Sequence, residues 1–258
     1  MELAGYLASV LVGITLGLLG GGGSILTIPI FVYLFHLDVI IATAYSLFMV
    51  GTTSLIGVWA KYRNAMIHFP SVLVFGIPSL AAVFITRIWI VPAIPEMLFI
   101  PYFPITKRLF LLGLFSILMI VTAVSMLMKK ADGLHGQARF SIMMPLGLAV
   151  GFLTGLVGAG GGFLIVPALV MWARVPLPVA AGTSLFIIGI NSSAGFIGDV
   201  LNRAIQWPFL LTLTGLAIGG VFIGNLIATK TQDHHLRKLF AWFILGMGCW
   251  ILAKEFFG

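Results

Sequence analysis

The sequence predicts an all-α polytopic membrane protein built from two tandem structural repeats. Three observations support this fold class: the composition, a series of apolar blocks and an internal repeat. Of the 258 residues, 60% are hydrophobic and only 8% are charged, whereas a soluble domain carries roughly a quarter charged residues. Such a chain cannot cover a globule with polar side chains, so a soluble fold is excluded.

Eight apolar blocks, separated by polar interruptions, follow one another along the chain. A helix needs about 20 mostly apolar residues to cross the roughly 30 Å hydrocarbon core. The blocks lack the period-2 alternation of a transmembrane strand, so we expect α-helices throughout. The blocks are residues 3–35, 39–60, 69–92, 109–128, 141–174, 177–198, 207–229 and 238–257.

An internal repeat divides the chain into two related halves. Residues 13–70 match residues 151–208 without a gap, at a constant offset of 138. The identities concentrate on Gly, Pro, Ser and Asn, which chance matching of apolar residues would not favour. We therefore predict an N-terminal transmembrane repeat over 1–134 and a C-terminal one over 135–258. Identical pairs include Gly13 and Gly151, Pro29 and Pro167, Ser46 and Ser184, and Ser54 and Ser192.

Each half opens with an apolar block that a glycine run interrupts. About 17 residues precede the run and about 12 follow it, so at 1.5 Å per residue the two arms total roughly 44 Å. That length suits a broken or re-entrant helix. Consecutive glycines disfavour helix, so we expect Gly20–Gly23 and Gly158–Gly162 to be unwound. Two such breaks in corresponding positions are typical of a transporter's binding site. Close helix packing through small residues is the alternative, and Gly13, Gly17, Gly151 and Gly155 fit it well.

The repeat can be parallel or inverted, depending on whether the broken block crosses the bilayer. If it crosses, there are eight crossings, and Lys and Arg divide seven against seven between the faces. If it folds back, three crossings remain per half, the halves are inverted, and nine Lys and Arg share one face against five. The positive-inside rule favours the inverted arrangement, with both termini outside.

Uncharged polar residues inside the apolar blocks are the candidates for a binding site. Hydroxyls, an amide and exposed glycine N–H groups can all donate hydrogen bonds, so the set suits an anion. Ser and Thr in membrane helices also commonly bond back to their own helix or to a neighbouring one, and that alternative stays open here. The candidate substrate-binding residues are Gly20, Gly21, Gly22, Gly23, Ser24, Ser46, Thr53, Gly158, Gly160, Gly161, Gly162, Thr183, Ser184 and Asn191.

Four charged residues are candidates for attracting the anion or coupling an ion. They are Arg63, Arg87, Asp199 and Arg203. Asp199 and Arg203 stand four residues apart and could pair on one helix turn. The alternative is that these residues only anchor helix ends at the interface.

The glycine motif leads to a known family. The pattern G-x-x-x-G-x-x-G-x-G-G-x-x-x-x-x-P at 13–29 and 151–167, with Gly-Thr-Ser-Leu-Phe at 182–186 and Asn191, resembles the TauE/SafE sulfite exporter family over nearly the whole chain. The resemblance implies a permease for small sulfur-containing anions, such as sulfite and organosulfonates, driven by an ion gradient. The first half has Thr53 where the second has Asn191, so the two halves of a site would not be equivalent.

The predicted function is a secondary transporter in the cell membrane, working by alternating access around a site near the midplane between the repeats. The alternatives are an anion channel and a membrane-embedded enzyme or assembly partner. No Gly-Lys pair occurs, so there is no Walker A loop, and no HExxH or GxSxG motif appears. We therefore expect no enzyme activity, no cofactor and no metal site. The expected partners are a small anion, the lipid bilayer and a coupled proton or other ion, without nucleic acid.

Overall fold

The computed structural model describes residues 2–19, 21–63, 66–100, 103–128, 140–201, 204–228 and 233–257. Within these residues the chain forms ten helices and one short β-hairpin. The helices are α1 (Glu2–Leu19), α2 (Gly23–Leu34), α3 (Val39–Arg63), α4 (Phe69–Ala93), α5 (Lys107–Met128), α6 (Phe140–Val157), α7 (Gly162–Ala173), α8 (Leu177–Val200), α9 (Trp207–Ala228) and α10 (Asp233–Phe257), and the strands are β1 (Met97–Ile100) and β2 (Phe103–Thr106).

The prediction of an all-α polytopic membrane protein is confirmed. Five helices in the described part of the chain, α3, α4, α5, α8 and α9, are long and apolar enough to cross a membrane. Large apolar side chains such as Trp59, Leu73, Trp89 and Leu211 are exposed on them, as lipid-facing residues are. The hairpin was not predicted. It lies between α4 and α5, where the prolines at positions 95, 101 and 104 disfavour a helix.

Prolines also explain why several helices change pitch. Four five-residue π-helical stretches interrupt α2, α4 and α7, and each has a proline within two residues of it. Because proline lacks an N–H group, the carbonyl four residues earlier loses its partner, and a wider turn re-satisfies neighbouring carbonyls inside the membrane. The stretches are Ile30–Leu34, Val72–Gly76, Thr86–Ile90 and Leu169–Ala173.

The first block folds back on itself. α1 ends at Leu19, and α2 returns until Phe35 lies beside the first turns of α1. A Cβ on Gly5 would lie 2.2 Å from the Phe35 ring, and the rings of Tyr6 and Phe35 are 6.1 Å apart, edge to face. In the second half α7 likewise packs back against α6, because its last stretch, Leu169–Ala173, contacts the helix Phe140–Val157.

The glycine pairs of α1 and α6 pack against helices of the opposite half. A Cβ on Gly13 would lie 1.9 Å from the backbone oxygen of Ala217 in α9, and one on Gly151 would lie 2.4 Å from that of Ser79 in α4. Only glycine permits such backbone contact, so the close packing predicted from the small-xxx-small spacing is confirmed. Ser79 and Ala217 also differ by 138, so the two contacts are equivalent under the repeat.

Helices α3 and α8 pack side by side at the centre and run in opposite directions. A Cβ on Gly195 would lie 3.1 Å from Leu47, and one on Gly57 would lie 3.7 Å from Leu185. Contacts therefore pair the start of one helix with the end of the other. At the periphery, α10 lies antiparallel to α5, since Gly248 faces Met119 whereas Phe256, later in α10, faces Gly113, earlier in α5.

Candidate substrate site

The two helix breaks, one from each half, meet at the centre of the molecule. A Cβ on Gly162 would lie 2.1 Å from the Gly21 carbonyl oxygen and 2.6 Å from Ile188 of α8. Ile188 stands equally close to Gly21, where a Cβ would also lie 2.6 Å away. The predicted proximity of the two glycine runs is thus present in the fold, with α8 packed across both.

The backbone at both breaks needs glycine. Gly21 has φ 122°, and Gly158, Gly160 and Gly161 have φ of 77°, 67° and 75°, which L side chains rarely adopt. The unwound segments are shorter than expected, however. Gly162 is already the first residue of α7, and the 3-10 turn Gly22–Leu26, which leads into α2, starts directly after Gly21.

Both returning helices therefore begin at the point where the breaks meet. The first N–H groups of a helix have no partner within it, and the helix dipole places partial positive charge at this end. At the start of α7, the N–H groups of Leu164 and Ile165 both donate to the Gly161 carbonyl, at 3.0 Å. Two N-termini directed at one place favour a negatively charged group there.

A chain of hydroxyls braces the first break. Thr27 donates to the Ser24 carbonyl at 2.7 Å, and Ser24 donates to the Gly21 carbonyl at 2.9 Å. Because Thr27 uses its proton in this way, it accepts from the Ser46 hydroxyl of α3, with which it makes a short contact. Ser24 and Ser46, both candidates from the sequence, therefore hold the Gly21 backbone in place. Gly23 packs against the end of α1, where a Cβ would lie 2.4 Å from the Leu16 nitrogen.

On the other side, α8 presents hydroxyls to both breaks. The Ser184 oxygen lies 3.3 Å from the Cβ position of Gly21, and the Ser192 oxygen lies 3.0 Å from that of Gly160. Ser184, Ile188 and Ser192 are four residues apart and so share one face of the helix. Ser184 donates to the Ala181 carbonyl at 2.9 Å.

Asn191 lies on α8 next to Ser192 and reaches α4. Its Nδ2 donates to the Ser79 hydroxyl at 2.8 Å. A hydroxyl both donates and accepts, so the amide can equally give its oxygen to Ser79 and direct its NH₂ group elsewhere. The remaining oxygen of Asn191 is buried and finds no hydrogen-bond partner among the described residues.

Two serines at equivalent positions of the repeat share this property. The hydroxyls of Ser54 and Ser192 are fully buried and also lack a partner in the part of the chain that the structure describes. A buried polar group without a partner costs about 1–3 kcal/mol. The Ser192 hydroxyl, which lies beside Gly160, has a use when a polar substrate supplies its hydrogen bond.

Two candidate hydroxyls point away from the breaks. Thr53 donates to the Met49 carbonyl at 2.6 Å within its own helix, as the back-bonding alternative predicts. Thr183 donates to the Val179 carbonyl at 2.7 Å and accepts from the backbone N–H of His68 at 2.9 Å. It ties α8 to the segment before α4, away from the glycines.

The charged candidates differ from expectation. Arg87 and Asp199 are only 1% and 3% exposed, and Arg87 Nη1 donates to Asp199 Oδ2 at 3.0 Å. Asp199 thus pairs with an arginine of another helix, and the burial of both side chains does not suit the interface-anchor alternative. Arg63 is exposed at the end of α3. Arg203 and Gly20 lie outside the described residues.

Sequence reasoning missed Thr27, Thr43 and Ser79, each of which touches a candidate residue. Thr43 accepts a hydrogen bond from Arg87 at 3.1 Å. Thr27 carried a signal, since it lies three residues after Ser24 in a segment that must bury its backbone. Thr43 and Ser79 had none, because their partners are 44 and 112 residues away.

The fold defines a multi-pass membrane protein whose two halves meet at glycine breaks lined by hydroxyl groups. Residues 6–251 match the family Sulfite exporter TauE/SafE. The chain belongs to this family, which places it among membrane transporters and not among enzymes.

Relatives agree with this placement. A "Probable membrane transporter protein" of Xylella fastidiosa (strain 9a5c) is 26% identical over 95% of this chain and 92% of its own. The "Probable membrane transporter protein MJ0441" of Methanocaldococcus jannaschii is 27% identical over 94% of each chain. "Sulfite exporter TauE/SafE family protein 3" of Arabidopsis thaliana is 30% identical over 37% of this chain and 18% of its own. No solved structure matches significantly.

Proposed function

We propose that the protein is a secondary transporter that moves a small oxyanion, sulfite or an organosulfonate, by alternating access around the point where the two breaks meet. The contact between Gly21 and Gly162 is the observation that carries this proposal. It joins one unwound segment from each half at membrane depth, where irregular backbone is tolerated only if it is buried in protein or lines a cavity.

The chemistry of the site favours an anion over a cation. The N-termini of α2 and α7 supply partial positive charge, and the Ser192 hydroxyl beside Gly160 supplies a hydrogen-bond donor that nothing else in the described chain uses. An oxyanion accepts several hydrogen bonds at once, so it can satisfy both groups together.

The packing directions support inverted repeats. α3 and α8 are equivalent under the offset of 138 and lie antiparallel. The rotation that superimposes one half on the other therefore reverses the direction of the helices. If both cross the bilayer, the pseudo-two-fold axis lies in the membrane plane. The return of Phe35 to the start of α1 agrees with this topology, because a re-entrant first block leaves three crossings in each half.

The same topology sets the proposed orientation. The end of α3 meets the start of α8, where a Cβ on Gly182 would lie 3.3 Å from the Lys61 Cβ. Lys61, Arg63 and Arg174 therefore share one face with the segments that connect the two halves. By sequence order this face receives nine of the 14 Lys and Arg, so we assign it to the cytoplasm and both termini to the outside.

Inverted repeats give alternating access a physical basis. Two halves of similar fold can exchange conformations, so that the site opens to one face and then to the other. The side-chain differences between the halves, such as Thr53 against Asn191, then make the two open states unequal in affinity.

Counterflow of radiolabelled sulfite in proteoliposomes tests the proposal. Vesicles preloaded with unlabelled sulfite or methanesulfonate should accumulate label transiently, whereas a channel only equilibrates it. Losing a hydrogen bond to a charged group costs about 1.5–3 kcal/mol. Ser192→Ala should therefore raise the sulfite concentration that gives half-maximal counterflow by roughly ten- to a hundredfold. Thr212→Ala is the matched control, because its exposed hydroxyl donates only to its own helix. Absence of counterflow, or equal half-saturation in both variants, contradicts the proposal.

A further inference from the structure

The buried ion pair between Arg87 and Asp199 lies at the edge of the proposed site. Arg87 comes from α4, Asp199 from the last turn of α8, and Thr43 from the start of α3, where it accepts from the same guanidinium nitrogen. All three side chains are almost fully buried. Charges at such positions in a membrane protein are costly and usually mark a substrate or ion pathway.

The guanidinium also touches the second helix break. A Cβ on Gly158 would lie 2.1 Å from Arg87 Nη2 and 2.4 Å from the Thr43 Cβ. One side of the guanidinium thus faces Asp199, and another faces the first residue of the segment that leads to Gly160 and Gly162. An arginine presents five N–H donors in a planar fork that suits carboxylates and oxyanions equally.

The ion pair joins the two halves, and it occurs at only one of the two places that the repeat makes equivalent. Gly155 approaches Thr86 as Gly17 approaches Gly224, so Arg87 corresponds to Asn225. Asp199 corresponds to Lys61, and Thr43 corresponds to Ala181. A feature needed only to hold the helices together would serve both halves, because their packing is otherwise equivalent. Moreover, a buried ion pair is seldom more stabilising than apolar residues of similar size.

We propose that Arg87 is the positive charge that selects the anion, and that Asp199 holds it as a competing carboxylate until the anion displaces it. This inference rests on the proposed function and adds a residue to it. The anion enters at Gly160–Gly162, and Arg87 turns from one carboxylate to an oxyanion of similar geometry. The exchange keeps the guanidinium paired in both states, and the cost of separating the buried Asp199 carboxylate from Arg87 lowers the affinity for the anion.

Anion affinity of the purified full-length protein in detergent tests this role. Sodium sulfite and sodium methanesulfonate are titrated calorimetrically into wild type, Asp199→Asn, Arg87→Gln and the double variant. If Asp199 is paired with Arg87 about nine-tenths of the time in the absence of an anion, Asp199→Asn should lower the Kd for the anion by about tenfold. Arg87→Gln should raise Kd by at least about tenfold, because the charge-assisted hydrogen bonds are lost. Glu255→Gln is the control, since it breaks the peripheral pair with Arg108.

The double variant separates this role from simple repulsion. The double variant has the same net charge as wild type. If Asp199 acted only by repelling the anion through its charge, the Kd of the double variant would therefore equal that of wild type. We expect instead a Kd at least about tenfold above that of wild type. The double variant also decides the question if either single variant fails to fold.

Three results would overturn the inference. If the Kd of Asp199→Asn equals or exceeds that of wild type, Asp199 does not compete with the anion. If the double variant binds the anion as tightly as wild type, Arg87 does not bind the anion. Either result leaves the proposed function intact when wild type binds sulfite and shows counterflow. If wild type binds neither anion, the proposed function fails and this inference fails with it.

Discussion

Replacing Gly162 by Ala perturbs the contact between the two breaks with the smallest possible change. The added Cβ would lie 2.1 Å from the Gly21 carbonyl oxygen, and real Cβ contacts are essentially never shorter than 3.0 Å. The two backbones must therefore separate by at least the difference, 0.9 Å. Overpacking of this kind costs about 1–3 kcal/mol. Gly162 lacks the positive φ of its neighbours, so Ala is conformationally allowed there.

The intrinsic preference of the helix works in the opposite direction, which makes the outcome diagnostic. Ala is favoured over Gly in a helix by about 1 kcal/mol, so a loss of stability in Gly162→Ala must come from the contact. Gly219→Ala is the matched control, because a Cβ there meets nothing within 4 Å. We expect a lower melting temperature and at least about tenfold weaker sulfite counterflow in Gly162→Ala. The control should melt no lower than wild type, and wild-type counterflow in Gly162→Ala would refute the reasoning.

Three further predictions concern helix packing, the peripheral ion pair and topology. Gly151→Val should destabilise the protein by about 1–3 kcal/mol in detergent, because its side chain meets backbone of α4; an unchanged unfolding midpoint would contradict the packing. Glu255→Gln should cost about 1 kcal/mol or less and leave sulfite affinity unchanged, because its partner Arg108 is 52% exposed; an affinity change would place the pair in the transport path. In a Cys249→Ser background, Arg63→Cys and Lys254→Cys, both at exposed positions, should react with impermeant maleimide from opposite faces; parallel repeats place both positions on one face, so labelling from one face would exclude inverted repeats.

The helix breaks and the glycine packing were predictable because both follow directly from the backbone properties of glycine and proline. A run of glycines followed by a proline cannot continue a helix cheaply, and it occurs twice at one offset. Likewise, Gly13 and Gly151 stand at small-xxx-small spacing, which indicates close packing without naming the partner. The apolar blocks predicted the membrane helices for the same reason: length and composition alone decide whether a segment can cross.

The contacts between the halves were not predictable, because they depend on how helices far apart in sequence pack. Asp199 has an arginine four residues later, and a local rule pairs the two. That rule gives no hint of Arg87, a partner that the fold supplies from 112 residues away in the other half. The same holds for Asn191 and Ser79, at the same separation. Hydroxyl roles were equally hidden, since Thr53 and Ser192 look alike in sequence but only Thr53 bonds to its own helix.

The location of a bound anion tests the central claim most directly. Selenite is the selenium analogue of sulfite, and its position in crystals of the full-length protein can be found by anomalous scattering. The account predicts one strong peak between Gly21 and Gly160–Gly162, within hydrogen-bonding distance of the Ser192 hydroxyl. A peak confined to the outer surface, such as the cleft lined by Asp38, Lys107 and Arg108, with none at the two breaks, would contradict it.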